Sequence, residues 1–161
     1  MPRILPVAPA TATDDAKKLL DGVKAGIGMV PNIFATFAHS PRVLEGYLAL
    51  NGALGKGRLS AGLREQIALT VAGANSCDYC ASAHTALAKA AGIANDELRQ
   101  NLKAQSADAP TKAVLGFARK VVEQRGRVDD ADVAAVRAAG FDEGDVVEIV
   151  THIGLNLFTN Y

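Results

Sequence analysis

Apolar residues recur three and four positions apart along most of the chain, and no stretch alternates apolar with polar residues between hairpin turn signals. This pattern predicts an all-α fold of about eight or nine helices joined by short loops, with no sheet. Thr13, ahead of Asp14 and Asp15, opens a first helix that runs through Leu19, Leu20 and Val23 until Gly26 and Gly28 stop it. Pro31 starts a short helix ending at His39. Ser40-Pro41 opens another through Leu44, Tyr47, Leu48 and Leu54. Ser60 caps a helix whose Leu63, Ile67 and Val71 share one stripe, and Asn75 or Ser76 caps the next, which ends at Gly92. Further helices are expected from Asn95 to about Ala104, through Val114, Phe117 and Val121 to near Gly126, from Asp129 to Gly140, and from Asp142 through Val146 and Leu157. Residues 1–12 carry three prolines and no helical period, so they read as an extended arm before a single helical domain over 13–161. The last segment is still periodic at Tyr161, which predicts that the chain continues or that this helix finishes against a partner.

Composition narrows the classes. With 161 residues and 49% hydrophobic content, a domain of this size buries roughly 70% of its unfolded surface and needs no covalent staple. Seventeen basic residues balance seventeen acidic ones. No basic stripe exists for a phosphate backbone, which argues against a nucleic-acid partner. Prolines interrupt the first residues and no apolar run approaches the roughly 20 residues of a spanning helix. The expectation is a cytoplasmic protein with no membrane partner.

The chemistry is concentrated in Cys77-Asp78-Tyr79-Cys80 and His84, which hold both cysteines and one of the three histidines. On a helix, positions i, i+3 and i+7 share a face, so two thiols and an imidazole would meet there. Three readings compete: two buried small residues with a satisfied histidine, a zinc site completed by His39, His152 or a carboxylate, and a redox pair. Structural zinc usually draws ligand pairs from two separate segments, and no second pair is present. A Cys77–Cys80 disulfide would close too short a loop to stabilise much, so its value would be chemical. The helix dipole favours a thiolate at Cys77, whereas His84, four residues beyond Cys80, favours that sulfur instead. Glu65 precedes Cys77 by twelve residues. Alone it reads as a surface residue beside Arg64; if the two helices fold back at residues 73–75, its carboxylate reaches and orients His84.

Glu65, eleven intervening residues, then Cys77-x-x-Cys80-x-x-x-His84 resembles the signature of the AhpD-like alkylhydroperoxidases in the carboxymuconolactone decarboxylase superfamily. Val30-Pro31-Asn32-Ile33-Phe34, His39-Ser40-Pro41, Arg58-Leu59-Ser60 and the closing Asn156-x-Phe158-Thr159-Asn160-Tyr161 extend the likeness to its peroxidase-related branch. The resemblance implies a helical homotrimer or homohexamer that uses no cofactor. It implies Cys80 as the peroxidatic thiol, Cys77 as the resolving thiol, His84 as the base and Glu65 as the group that polarises it. The substrate would be a peroxide, and an external dithiol would restore the thiols. The likeness departs at Tyr79, where the branch of defined activity has a second histidine; a phenol, with a pKa of about 10, is a poor base at neutral pH. Two alternatives stand beside this reading: a non-catalytic redox-sensing or metal-binding oligomer, and a lyase of the decarboxylase kind, which does not depend on paired thiols.

Overall fold

The structure is a computed structural model that describes residues 3–161. Among them are nine helices and no strand: α1 Asp14–Ile27, α2 Asn32–Phe37, α3 Pro41–Leu54, α4 Ala61–Ala74, α5 Asp78–Ala90, α6 Asn95–Asn101, α7 Ala109–Glu123, α8 Asp130–Ala138 and α9 Glu143–Asn160. The boundaries follow the expected signals closely. Thr13, Ser60, Asp108, Asp129 and Asp142 each accept a backbone N–H of the helix they open. Asp129 with Asp132, and Asp142 with Asp145, form reciprocal capping boxes. Several ends differ from expectation: α1 passes through Gly26 and stops at Gly28, the one of the two with positive φ, and α2, α5, α6, α7 and α8 end two or three residues early, at Phe37, Ala90, Asn101, Glu123 and Ala138. No described helix is long and apolar enough to cross a membrane.

The chain forms two compact units, Met1–Ala53 and Leu54–Tyr161. In the first, Ala16, Leu20, Ala38 and Leu44 make a small core, and the rings of Phe34 and Phe37 lie 5.4 and 5.7 Å from that of Tyr47. The segment ahead of α1 is tied down by two long-range bonds: Val7 N–H donates to the Ala35 carbonyl at 3.0 Å, and His39 Nε2–H donates to the Leu5 carbonyl at 2.9 Å.

The second unit is organised around α4. This helix is apolar on almost every side, as a helix surrounded by others should be, and α5, α6, α7 and α9 all pack on it. Leu63, Ile67 and Val71 join Val114, Leu115, Phe117, Ala118, Ile149 and Ile153 in the main core, and Leu69 turns the other way onto Ala88 and Leu98. The α4–α6 contact is so close that a Cβ on Gly73 would sit 2.0 Å from the Leu102 carbonyl oxygen, so only glycine fits there. Polar bonds fix the register of α9 on α4. At one end Glu148 accepts the backbone N–H groups of Arg58 and Leu59, and Arg58 grips Asp142 through both terminal nitrogens at 3.0 and 2.7 Å. At the other end Asn75 Nδ2 donates to Asn160 Oδ1 at 3.2 Å. These two anchors set α9 parallel to α4.

Candidate active site

The site begins where α4 gives way to α5. Ser76 is left-handed, with φ of 53°, and around it Ser76 N–H returns to the Gly73 carbonyl while Cys77 N–H returns to the Ala72 carbonyl. This is the Schellman pattern that closes a helix, with serine where glycine is usual. The expected cap therefore moves: Ser76 cannot cap α5 in that conformation and Asn75 is helical, while Cys77, at φ −89° and ψ 90°, has the extended geometry a cap needs. Its Sγ accepts the Cys80 N–H at 3.3 Å. Cys77 thus ends one helix and begins the next. Consequently it lies just outside the helical face on which the spacing placed it.

Cys77 and Cys80 are joined as a disulfide, with Cα atoms 5.3 Å apart. Their surroundings differ. Cys80 is 4% exposed and Cys77 is half-buried, so an outside reagent meets Cys77 more readily. One turn beyond Cys80, His84 Nδ1 lies 2.8 Å from Glu65 Oε2, both side chains being half-buried. An ionised carboxylate can only accept, so Nδ1 carries the proton and Nε2 of the neutral ring is left as a base. The chain turns back at residues 75–77, slightly later than the 73–75 the sequence suggests, which sets α4 and α5 antiparallel and brings Glu65 to His84. Tyr79, between the two cysteines in sequence, is 52% exposed.

The other histidines considered as ligands lie elsewhere. His39 is bonded to Leu5 in the first unit. His152 is buried on α9, and desolvation holds its imidazole below the ordinary histidine pKa; Arg64 pushes the same way, against Glu148 and Glu65. Its signal in the sequence is a histidine within the buried spacing Ile149, His152, Ile153, Asn156. Among the described residues no group of three or more His, Cys, Asp and Glu is arranged to hold a metal ion.

A helical fold built around one buried helix, with a CxxC turn at its end, defines the class. The chain belongs to the carboxymuconolactone decarboxylase family, whose model matches residues 41–124, and it is AhpD-like in fold. It is similar to the alkylhydroperoxidase AhpD core of an uncharacterised peroxidase-related protein from Ralstonia eutropha JMP134, at 29% identity over 98% of this chain and 86% of that one, with a TM-score of 0.87. A second uncharacterised peroxidase-related protein, from Silicibacter sp. TM1040, is 27% identical over 92% and 81%, with a TM-score of 0.82. The debrominase Bmp8, in complex with 2,3,4-tribromopyrrole, shares the fold at 18% identity over 99% and 87%, with a TM-score of 0.82. No curated protein matches the chain.

Proposed function

We propose that the protein is a thiol-dependent hydroperoxidase in which Cys80 attacks, Cys77 resolves, His84 is the base and Glu65 orients it. The observation that carries this reading is the Glu65–His84 bond one turn from the Cys77–Cys80 disulfide. In the reduced protein His84 Nε2 takes the Cys80 proton, and the Glu65 carboxylate balances the imidazolium that results. The thiolate attacks the distal oxygen of the hydroperoxide and the O–O bond breaks. Cys80 becomes a sulfenic acid, and the departing alkoxide leaves as the alcohol after accepting a proton from His84. The Cys77 thiol then displaces water from the sulfenic acid, forming the disulfide. An external dithiol returns two electrons and two protons, attacking the more exposed Cys77 sulfur and releasing Cys80. Because Cys80 is buried, the reading favours small hydroperoxides over bulky ones. Oligomeric assembly and the natural dithiol belong to the same proposal.

Steady-state consumption of a small alkyl hydroperoxide with a dithiol tests it. Cys80→Ser should lower turnover by at least about 100-fold, as loss of an activated nucleophile does. Equal turnover in Cys80→Ser and wild type would refute the assignment.

A further inference from the structure

The buried face of α9 carries one group that neither packing nor the thiol chemistry uses. His152 is 5% exposed, lies between Ile149 and Ile153, and its Nε2 is buried with no hydrogen-bond partner among the described residues. A leucine or phenylalanine at this position would fill the stripe without the cost of burying an unpaired nitrogen. Such a group calls for an explanation. The register of α9 on α4 supplies its location. With Glu148 beside Arg58 and Asn160 beside Asn75, His152 lies one turn past the first anchor, level with the first turns of α4, where Arg64 and Glu65 stand.

Three charged groups act on the ring: Arg64 and Glu65 from α4, and Glu148 from its own helix. Two of them are committed elsewhere. Arg64 Nη1 donates to the Leu54 carbonyl at 3.0 Å, and both Glu148 oxygens accept backbone N–H groups of Arg58 and Leu59. Glu65 is committed through Oε2 alone, to His84.

We propose that His152 is a positioning residue of the site, holding the Glu65 carboxylate from the α9 side while His84 takes it from the α5 side. The inference rests on the Glu65–His84 pair being the base system of Cys80. Nε2–H, which has no direct partner among the described residues, reaches the carboxylate through one bridging water and limits its rotation. A neutral donor suits this task. A lysine or arginine here would form a competing ion pair, draw the carboxylate from His84 and weaken it as a base, whereas an imidazole kept uncharged by burial fixes the carboxylate and leaves its charge for His84.

The test is the pH profile of Cys80 alkylation by iodoacetamide in the reduced protein, read by peptide mass spectrometry. It requires no peroxide. His152→Phe should move the profile to higher pH and slow alkylation at pH 7 about five- to tenfold, within the range of an orienting group. His152→Gln, whose side-chain amide nitrogen reaches the place of Nε2, should restore most of the rate. In a Glu65→Gln background His152→Phe should add nothing further, since both changes act on one group. A folded His152→Phe with the wild-type profile, or effects of His152→Phe and Glu65→Gln that simply multiply, would overturn the proposal. Should His152→Phe fail to fold, ring 15N resonances of His152 decide: they should move in Glu65→Gln, and their standing still would equally overturn it. Loss of peroxide turnover as a wild-type activity, with this alkylation pattern intact, would sink the hydroperoxidase reading and leave the positioning role in place.

Discussion

Helices α4 and α5 are nearly equal in length, antiparallel and in contact, yet they do opposite work. Eight of the fourteen residues of α4 are buried, including Gln66 and Thr70, whereas α5 buries only Cys80 and Ala88. Four helices surround the first; the second leaves Tyr79 and Leu87 half in solvent. In the proposed mechanism the carboxylate that orients the base therefore stands on the more buried helix, and the sulfurs stand at the start of the more exposed one. This division is what a reaction needs when its base must keep one geometry while its nucleophile meets substrate, resolving thiol and reductant in turn.

The contrast can be broken most severely on α4. Ile67 is fully buried at the centre of the main core, so Ile67→Ala should cost about 2–5 kcal/mol in denaturant unfolding. A loss under 1 kcal/mol would mean that α4 is not the scaffold of this unit. A smaller effect is expected from Glu65→Gln, which keeps the shape and removes the charge: alkylation of Cys80 at pH 7 should fall about tenfold and its profile should move to higher pH. No movement would separate Glu65 from the thiol.

Below that lies a pH effect on stability. His152 in the folded protein has its pKa held below the unfolded value, so the unfolded chain binds more protons as the pH falls through about 6.5. Stability should therefore decline from there downward, and His152→Gln should remove this component. Asp142 and Asp132 have depressed pKa values, through bonds to Arg58 and Lys120 respectively. Their contributions should persist to much lower pH and be lost only below about 4, the ordinary carboxylate range. Chemical denaturation at pH 4.5–8 in wild type and His152→Gln separates the two windows; parallel curves would contradict the first. The smallest effect belongs to the outer face of α5, where Ser82 is exposed and Ser82→Ala should change stability by less than about 0.5 kcal/mol. A larger change would show that this face is covered.

The helices were legible because their punctuation is local. Thr13, Ser60, Asp129 and Asp142 each carry a capping oxygen, and that chemistry is complete within three residues. The Glu65–His84 meeting was legible for a related reason: a short break between two helices forces them antiparallel, and the spacing then fixes which turns face each other. The cap of α5 was misplaced because Ser76 adopts a left-handed conformation that glycine usually supplies, and nothing in its residue type announces it. It accompanies the bonds that close α4 on Ala72 and Gly73, at the point where the Leu102 carbonyl lies against Gly73. From the sequence alone His152 stands out only as a possible zinc ligand. Its neighbourhood with Glu65 depends on the α4–α9 register, which is set by Glu148, Arg58, Asn75 and Asn160, residues some 90 positions apart in sequence.

The proposed mechanism turns on attack by Cys80 and resolution by Cys77. The most direct test is mass spectrometry of the Cys77–Cys80 peptide from reduced wild-type, Cys77→Ser and Cys80→Ser proteins after one equivalent of hydroperoxide, with a sulfenic-acid trap present. Wild type should lose two hydrogens as the disulfide forms, Cys77→Ser should carry the trap on Cys80, and Cys80→Ser should stay unmodified. A trapped Cys77 in Cys80→Ser, with Cys80 inert in Cys77→Ser, would reverse the two roles and contradict the account.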